Sequence, residues 1–288
     1  MNIAITGSSG FIGKSLINTI KDLNPLDKVI LVDKLNGIDI LNKNQLNTID
    51  NFEIMVHLAA KSYIPTSFEN PFDYYFTNIL GTLNILELCK INKSKLIYVS
   101  SYVYGCPEYI PVDENHITKA FNPYGQSKLI CESLCEGYNR DFGIPTIIFR
   151  PFNVYGDGQN VEFLISSIFQ QIKEGKNEIT LKNPNPKRDF IYLSDVISAI
   201  IKAIKINCNT IKVLNICSGE SYSVKEVTQI INSLLKKKIN FVFETKSNRK
   251  NEVNDTRGNN ENICKFLEWK PLYSLEQGLK LMVESYNL

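Results

Sequence analysis

Short apolar runs alternate with longer amphipathic segments along the first half of the chain. Five runs rich in β-branched and aromatic residues are apolar without alternation, which is typical of strands buried on both faces of a parallel sheet. These predicted strands are residues 2–6, 29–33, 54–58, 95–100 and 145–149. Segments of helical period lie between them, the longest at 11–23, 71–92 and 123–142. Regular alternation of strand with helix predicts an α/β fold built on a doubly wound parallel sheet.

After Arg150 this rhythm loosens. The pattern predicts a loop at 151–160, a helix at 161–175, a strand near 178–182 and a further strand and helix within 189–206. We therefore predict a larger doubly wound domain and a smaller mixed α/β C-terminal lobe. The larger domain is assigned residues 1–152, with 188–210 returning to it, and the lobe is assigned 153–187 and 211–288.

The bulk composition favours small-molecule chemistry. A net charge of +2, with 43% hydrophobic and 22% charged residues, gives no global field that would select a nucleic acid. The N-terminal residues lack the features of a signal peptide, and no apolar run approaches the roughly 20 residues of a membrane span. We expect a soluble, cytoplasmic protein without membrane contact. The seven cysteines predict neither disulfides nor a metal site, since Cys131 and Cys135 have no nearby partners to complete one.

Three glycines follow the first predicted strand in the segment TGSSGFIG, at Gly7, Gly10 and Gly13. At this position glycines permit a tight turn and bring backbone amides close to a pyrophosphate at a helix N-terminus. Asp33 ends the second strand about twenty residues later, where a carboxylate binds ribose hydroxyls and repels a 2′-phosphate. The pattern favours NAD over NADP, although Lys34 weakens that preference, and a strand–helix turn without a ligand remains the alternative.

Two further features indicate acid–base chemistry. Tyr124 and Lys128 are four residues apart on one predicted helix, so the ammonium could lower the pKa of the phenol. Ser100 ends the strand KLIYVS at the sheet edge where ligands bind in such folds. Each feature alone also fits a structural residue, but together they predict a hydride-transfer site.

These segments together resemble the NAD-dependent epimerase/dehydratase family of extended short-chain dehydrogenases/reductases, which includes UDP-galactose 4-epimerase. The resemblance rests on TGSSGFIG, SSYVYG, YGQSK, FRPFNVYG and RDFIYLSDV and spans essentially the whole chain. It implies a Rossmann-type NAD-binding domain, a substrate lobe, a nucleotide-diphosphate sugar as substrate, and a homodimer paired through the helices at 71–92 and 123–142.

The resemblance also implies roles for individual residues. It assigns catalysis to Ser100, Tyr124 and Lys128, with Ser100 chosen over Ser101 because it lies five residues before Gly105. In addition to the glycines, Asp33, Tyr124 and Lys128, it assigns cofactor contacts to Phe11, Ile12, Asp39, Ile40, Leu58, Ala59, Ala60 and Asn78. It assigns substrate contacts to Ser101, Asn153, Arg188 and Arg249.

The family's reactions differ in residues beside the catalytic serine. Its 4,6-dehydratases carry an Asp-Glu pair there, and its C3/C5 epimerases carry a cysteine, whereas this chain has Ser101 and Tyr102. Dehydration and C3/C5 epimerisation are therefore disfavoured. We predict a 4-epimerase, and a 4-keto-sugar reductase that uses NAD(P)H is the alternative hypothesis. A non-catalytic dinucleotide-binding scaffold is a third hypothesis, which the intact glycine loop and triad disfavour.

Overall fold

The computed structural model describes residues 1–244 and 253–288 and divides into two compact units. The first unit comprises Met1–Gly105, Ile117–Arg150 and Ile197–Leu214, and the second comprises Cys106–His116, Pro151–Val196 and Asn215–Leu288. Residues 106–116 and 188–196 thus belong to the second unit, although the sequence pattern assigned both segments to the larger domain. The functional division into a cofactor domain and a substrate lobe stays a prediction.

The first unit is built on a six-stranded sheet with the order β2-β1-β3-β4-β5-β9. Its strands are β1 (Asn2–Thr6), β2 (Lys28–Val32), β3 (Ile54–His57), β4 (Lys95–Val99), β5 (Thr146–Pro151) and β9 (Ile211–Ile216). Every residue of β3 and β5 is buried, which explains why these segments are apolar without alternation. The predicted doubly wound sheet is confirmed. Its strand order reverses beside β1, and ligands bind at such a switch point.

Helices of the first unit follow the predicted segments closely. They are α1 (Phe11–Leu23), α2 (Lys43–Leu46), α3 (Ile64–Glu69), α4 (Pro71–Tyr75), α5 (Gly81–Asn92) and α6 (Pro123–Phe142), with a 3₁₀ turn at Lys34–Asn36. Helix α8 (Leu193–Lys205) belongs to the first unit from Ile197 onward. The segment 71–92 was predicted as one helix, but a π-helical turn at Phe76–Leu80 separates α4 from α5. Such turns occur frequently at functional sites, and this one contains Asn78.

The second unit has its own sheet and apolar core. Its helices are α7 (Leu164–Lys173), α9 (Val224–Leu234), α10 (Glu261–Leu267) and α11 (Leu275–Ser285). Its strands are β6 (Asn153–Tyr155), β7 (Glu178–Lys182), β8 (Lys187–Tyr192), β10 (Ser221–Ser223), β11 (Asn240–Glu244) and β12 (Asp255–Thr256). Strand β8 is central: it pairs with β10, β12 and β6, whereas β7 pairs with β11. The side chain of Phe169 is fully buried in this core.

Across residues 1–244 and 253–288, no helix has the length and apolar character needed to cross a membrane. All seven cysteines are free thiols, of which Cys131 and Cys135 are buried in the core of the first unit.

Candidate active site

The glycine loop after β1 is packed so closely that side chains are excluded. Gly7 has a φ of +65°, and a Cβ there would lie 2.8 Å from the Ala59 nitrogen. A Cβ on Gly13 would lie 2.3 Å from the Gly7 carbonyl oxygen. Gly10 is the N-cap of α1, and no side chain among residues 1–244 and 253–288 caps this helix end. The amides of the first turn, which include those of Phe11 and Ile12, therefore lack the usual side-chain cap within that part of the chain. This loop fits the pyrophosphate of a dinucleotide.

A buried chain of hydrogen bonds joins Thr6, the last residue of β1, to the segment His57–Ala60. The Thr6 hydroxyl accepts hydrogen bonds from the amides of Leu58 and Ala59, at 3.1 and 3.0 Å, and lies 2.6 Å from Nδ1 of His57. Because Thr6 already accepts twice, its proton goes to Nδ1, and Nε2 donates to the Thr82 hydroxyl 3.1 Å away. Burial, together with the smaller effect of the Lys128 charge, lowers the pKa of His57 to about 3, so the imidazole is neutral.

Sequence reasoning assigned no role to Thr6 or His57. The available signal was the position of His57 directly before the Leu58–Ala60 segment, which resembles the family's cofactor-lining motif. Through Thr6, the imidazole fixes that segment against the glycine loop.

The carboxylate of Asp33 lies at the end of β2, beside the glycine loop. Its two oxygens accept hydrogen bonds from the amides of Leu35, at 3.0 Å, and Ser9, at 3.3 Å. Lys34 is directed to Asp39 instead, with 3.2 Å between Nζ and Oδ2. The neighbouring Ile40 is buried against Gly81, where a Cβ would lie 2.4 Å from the Ile40 Cδ1. The lysine that weakened the sequence preference for NAD is thus paired with another carboxylate.

Asn78 ties the π-helical turn to α6. Its side-chain nitrogen donates to the Ser127 hydroxyl at 2.8 Å and to the Lys61 carbonyl at 3.1 Å, and its oxygen accepts from the Lys61 amide at 2.9 Å. Ser127 in turn donates to the Tyr124 carbonyl at 2.7 Å. Asn78 therefore braces the turn of α6 that carries Tyr124 and Lys128.

Tyr124 and Lys128 lie on the same face of α6, as their spacing predicts, but their electrostatics differ from the expectation. Lys128 is buried, and its ammonium donates to the Val99 carbonyl at 2.7 Å. Burial lowers the pKa of Lys128 to about 8. Burial also raises the pKa of the Tyr124 phenol, whereas the sequence led us to expect a lowered pKa. Ser101, as a hydrogen-bond partner of the phenol, acts in the opposite direction and lowers that pKa.

The two adjacent serines have different partners. Ser100 is 3% exposed, and its hydroxyl donates to the Glu132 carboxylate at 2.5 Å. Ser101 is half-buried and is the serine that hydrogen bonds the Tyr124 phenol. The catalytic role of Ser100 stays a prediction, and the contacts favour Ser101 for it.

Of the predicted substrate residues, Ser101 lies in the first unit, whereas Asn153 and Arg188 lie in the second. In the second unit, the Asn153 side chain donates to the Asp189 carbonyl at 3.0 Å. One guanidinium nitrogen of Arg188 donates to the carbonyls of Lys187 and Val253, at 2.8 and 2.7 Å. These contacts place both residues along β8. Arg249 lies outside the described residues.

Comparison with known proteins agrees with these features. Residues 3–217 match the NAD dependent epimerase/dehydratase family. The chain is 33% identical to a putative UDP-glucose 4-epimerase of Methanocaldococcus jannaschii, with 98% of this chain and 97% of the relative covered. It is 29% identical to GDP-6-deoxy-D-mannose reductase of Pseudomonas aeruginosa, with 98% and 96% covered.

A solved structure with the same fold is that of a UDP-glucose 4-epimerase from Thermotoga maritima with UDP-glucose. It is 26% identical, with a TM-score of 0.91 and coverage of 100% of this chain and 99% of that one. The expected fold, family and NAD-type cofactor are confirmed. The chain belongs to the NAD-dependent epimerase/dehydratase family and is a nucleotide-sugar enzyme of the extended short-chain dehydrogenase/reductase type.

Proposed function

We propose that this protein is a 4-epimerase of a nucleotide-diphosphate sugar. The observation that carries this proposal is the placement of Tyr124 and Lys128 one turn apart on α6, with the Lys128 ammonium held at 2.7 Å by the Val99 carbonyl, directly before the two serines. The influence of Ser101 on the pKa of the Tyr124 phenol is consistent with it. This arrangement suits exchange of a proton with a sugar hydroxyl. Similarity to the putative UDP-glucose 4-epimerase of M. jannaschii over nearly the whole chain supports the same reaction.

The chain's own residues would divide the chemistry as follows. Tyr124, as phenolate, accepts the proton of the sugar C4 hydroxyl, and Ser101 hydrogen bonds the same oxygen as it becomes a carbonyl. Lys128 supplies the positive charge that favours the phenolate, against the burial that raises the pKa of Tyr124. NAD, which the glycine loop and Asp33 would hold, would supply the reversible hydride acceptor that interconversion at C4 requires. Return of the proton from Tyr124 restores the site.

Cofactor binding is assigned to the glycine loop, Asp33 and the segment from Leu58 to Ala60. Gly7, Gly10 and Gly13 leave room for the pyrophosphate, and Asp33 is placed for the ribose hydroxyls. Pairing of Lys34 with Asp39 supports NAD, because the lysine is engaged by a carboxylate 3.2 Å away. A reaction that returns its own hydride needs a cofactor that stays bound.

A 4,6-dehydratase is less well supported. Elimination needs an acid and a base beside the reacting carbon, and the family's dehydratases supply them as carboxyl groups directly after the catalytic hydroxyl. Here Tyr102 lies at that place, and its phenol donates to the Gly105 carbonyl at 2.9 Å. The side chain thus braces the loop on which it lies.

The substrate's diphosphate is assigned to Asn153, Arg188 and Arg249. Two carbonyls hold the Arg188 guanidinium, which reduces the entropy lost when it binds a phosphate. Arginine suits this role because its planar fork pairs with two phosphate oxygens.

A 4-keto-sugar reductase is the second candidate, supported by the similarity to the P. aeruginosa reductase over 98% of this chain. One experiment separates the two. The purified protein is denatured and the released nucleotide identified by mass spectrometry, and native protein is incubated with UDP-, GDP- and dTDP-hexoses without added cofactor. Retained NAD and conversion of one sugar to its 4-epimer are expected.

An empty protein that turns over only with NAD(P)H and a 4-keto sugar would make it a reductase. Tyr124→Phe is the control for either reaction, because it removes the proton-transfer group while the cofactor loop is unchanged. Turnover should fall at least about a hundredfold. An unaffected rate would refute the assigned mechanism.

The homodimer also remains a proposal. Leu86, Leu134 and Tyr138, which lie on the two helices expected to pair, pack into the core of the first unit. Leu134 and Tyr138 are only partly buried there, so the part of each side chain that stays exposed could belong to a pairing surface. Sedimentation equilibrium would give the oligomeric state directly.

A further inference from the structure

A buried ion pair lies on the same face of α6 as Tyr124 and Lys128. Glu132 is one turn beyond Lys128 and is 3% exposed. Its carboxylate accepts hydrogen bonds from Nη2 of Arg150 at 2.6 Å and from Nε at 3.2 Å. Arg150 lies on β5 and is 6% exposed, so both charges are removed from solvent.

This ion pair holds both ends of the loop that carries Ser101. At the start of the loop, the Ser100 hydroxyl donates to Oε1 of Glu132 at 2.5 Å. At its end, Nη1 of Arg150 donates to the Tyr104 hydroxyl at 3.0 Å, and the guanidinium lies 5.0 Å from the centroid of the Tyr104 ring. Ser101 therefore lies between two residues that are fixed by the same pair.

The chemistry assigned above uses neither Glu132 nor Arg150. A buried pair contributes little net stability, because the cost of desolvating both charges offsets much of their attraction. The pair instead fixes the orientation of its two hydrogen-bond partners. Glu132 on α6 accepts from Ser100, and Arg150 on β5 donates to Tyr104, so both partners are held from rigid elements. Charge-assisted hydrogen bonds are shorter and stronger than neutral ones, and a bidentate pair adds geometric specificity.

We propose that the Glu132–Arg150 pair, acting through Ser100 and Tyr104, positions the Ser101 hydroxyl against Tyr124. The four residues are positioning residues and not catalytic ones. This inference rests on the proposed function, which assigns Ser101 and Tyr124 to proton exchange with the sugar.

The test is a double-mutant cycle. Ser100→Ala removes one hydroxyl and leaves the ion pair intact, and Tyr104→Phe does the same at the other end of the loop. Each variant should lower kcat roughly tenfold with less than a twofold change in KM, and each effect should vanish when Ser101→Ala is already present, because coupled residues are non-additive.

The matched control is Ser94→Ala. Ser94 is 1% exposed and lies at the other end of β4, so it reproduces the loss of a buried serine hydroxyl beside the same strand. This variant should leave kcat unchanged. If the effects of Ser100→Ala and Tyr104→Phe add to that of Ser101→Ala, the loop residues act independently and the inference is wrong.

A second measurement needs no cofactor or substrate. The protein is labelled with 3-fluorotyrosine, and the ¹⁹F resonance of Tyr124 is assigned by its absence in Tyr124→Phe. Ser101→Ala should shift that resonance, Ser100→Ala should shift it in the same direction, and Ser94→Ala should not. An unmoved resonance in Ser100→Ala would overturn the inference.

The two hypotheses fail separately. If the wild-type protein converts no nucleotide sugar, the proposed function fails, while the resonance of Tyr124 still tests the positioning. If the wild type is active but neither coupling nor a shift is seen, only the positioning role is lost.

Discussion

The ammonium of Lys128 lies 4.7 Å from the centroid of the Tyr98 ring and donates to the carbonyl of the next residue, Val99, at 2.7 Å. Two consecutive residues of β4 thus hold one buried cation, one through its aromatic face and the other through its backbone. An aromatic face stabilises a desolvated ammonium more strongly than an exposed one. This contact opposes the burial that lowers the pKa of Lys128 to about 8.

Replacing the ring should therefore change how activity depends on pH. In Tyr98→Leu the pKa of Lys128 should fall by about one unit, since a desolvated cation–π contact contributes about 1–2 kcal/mol. Tyr98→Phe keeps the aromatic face and is the matched control. The pH profile of kcat should shift toward lower pH in the leucine variant alone, and identical profiles for both variants would contradict the role of the ring.

Asp33→Ala should narrow the preference for NAD. The variant loses hydrogen bonds from the ribose hydroxyls to a carboxylate, which should weaken NAD binding by about 10- to 100-fold. The 2′-phosphate of NADP would no longer be repelled by the Asp33 carboxylate. Lys34→Ala is the comparison, because it breaks only an exposed pair with Asp39. Fluorescence titration with both nucleotides gives the ratio. An unchanged ratio in Asp33→Ala would place the ribose contact elsewhere.

The glycine loop should tolerate no added methyl group. Gly13→Ala places a Cβ 2.3 Å from the Gly7 carbonyl oxygen, so the loop must shift and NAD affinity should fall. Gly137, in the middle of α6, has open space around its Cβ position. Gly137→Ala should raise the free energy of unfolding by up to about 1 kcal/mol through helix propensity. Calorimetry measures the stability of both variants, and titration measures their affinity for NAD. If Gly13→Ala and Gly137→Ala had the same effects on stability and NAD affinity, the close packing of the glycine loop would be contradicted.

Stability should depend on the protonation of Asp189. Burial raises its pKa to about 6, although Ser218, Gly219 and Gly258 donate to the carboxylate. Between pH 3.8 and 6 the folded state holds a proton that the unfolded state has lost, so this residue's contribution to the free energy of unfolding decreases as pH rises.

Comparison of the wild type with Asp189→Asn isolates this effect, because asparagine does not titrate. The stability of the wild type relative to the variant should decrease by about 3 kcal/mol across that window, at 1.36 kcal/mol per unit of pKa difference. Urea unfolding at several pH values measures it. Parallel curves for the two proteins would show that Asp189 titrates normally.

Lys95, the first residue of β4, holds the C-terminal end of α8. Its ammonium donates to the carbonyls of Ala203, Ile204 and Ile206, at 2.8, 2.9 and 2.8 Å. Lys95→Met leaves these carbonyls without the cation and should destabilise the fold by about 2–4 kcal/mol. Lys205→Met removes an exposed lysine from the same helix end and should cost under about 0.5 kcal/mol. Urea unfolding measures both variants, and equal losses of stability in Lys95→Met and Lys205→Met would show that Lys95 does not cap α8.

Several elements were predictable because their signals are local. The predicted bounds of β1, α1 and α6 agree with the structure, since each depends on hydrophobic period and on terminal residues such as Pro123 and the glycine loop. The shared helix face of Tyr124 and Lys128 followed from their spacing alone. A spacing along one element does not depend on the rest of the fold.

Other features were decided only by tertiary packing. The partners of Ser100 and Ser101, adjacent and chemically identical, differ because one hydroxyl faces Glu132, thirty-two residues away, and the other faces Tyr124. Strand β8 obtains its neighbours from 153–155, 221–223 and 255–256, segments whose own pattern does not specify a partner. The sequence by itself determined the strands, the helices and the chemistry they could carry, because those depend on neighbours within a few residues. Tertiary structure decided which hydroxyl, which carboxylate and which cation meet, because that depends on the packing of elements far apart in the chain.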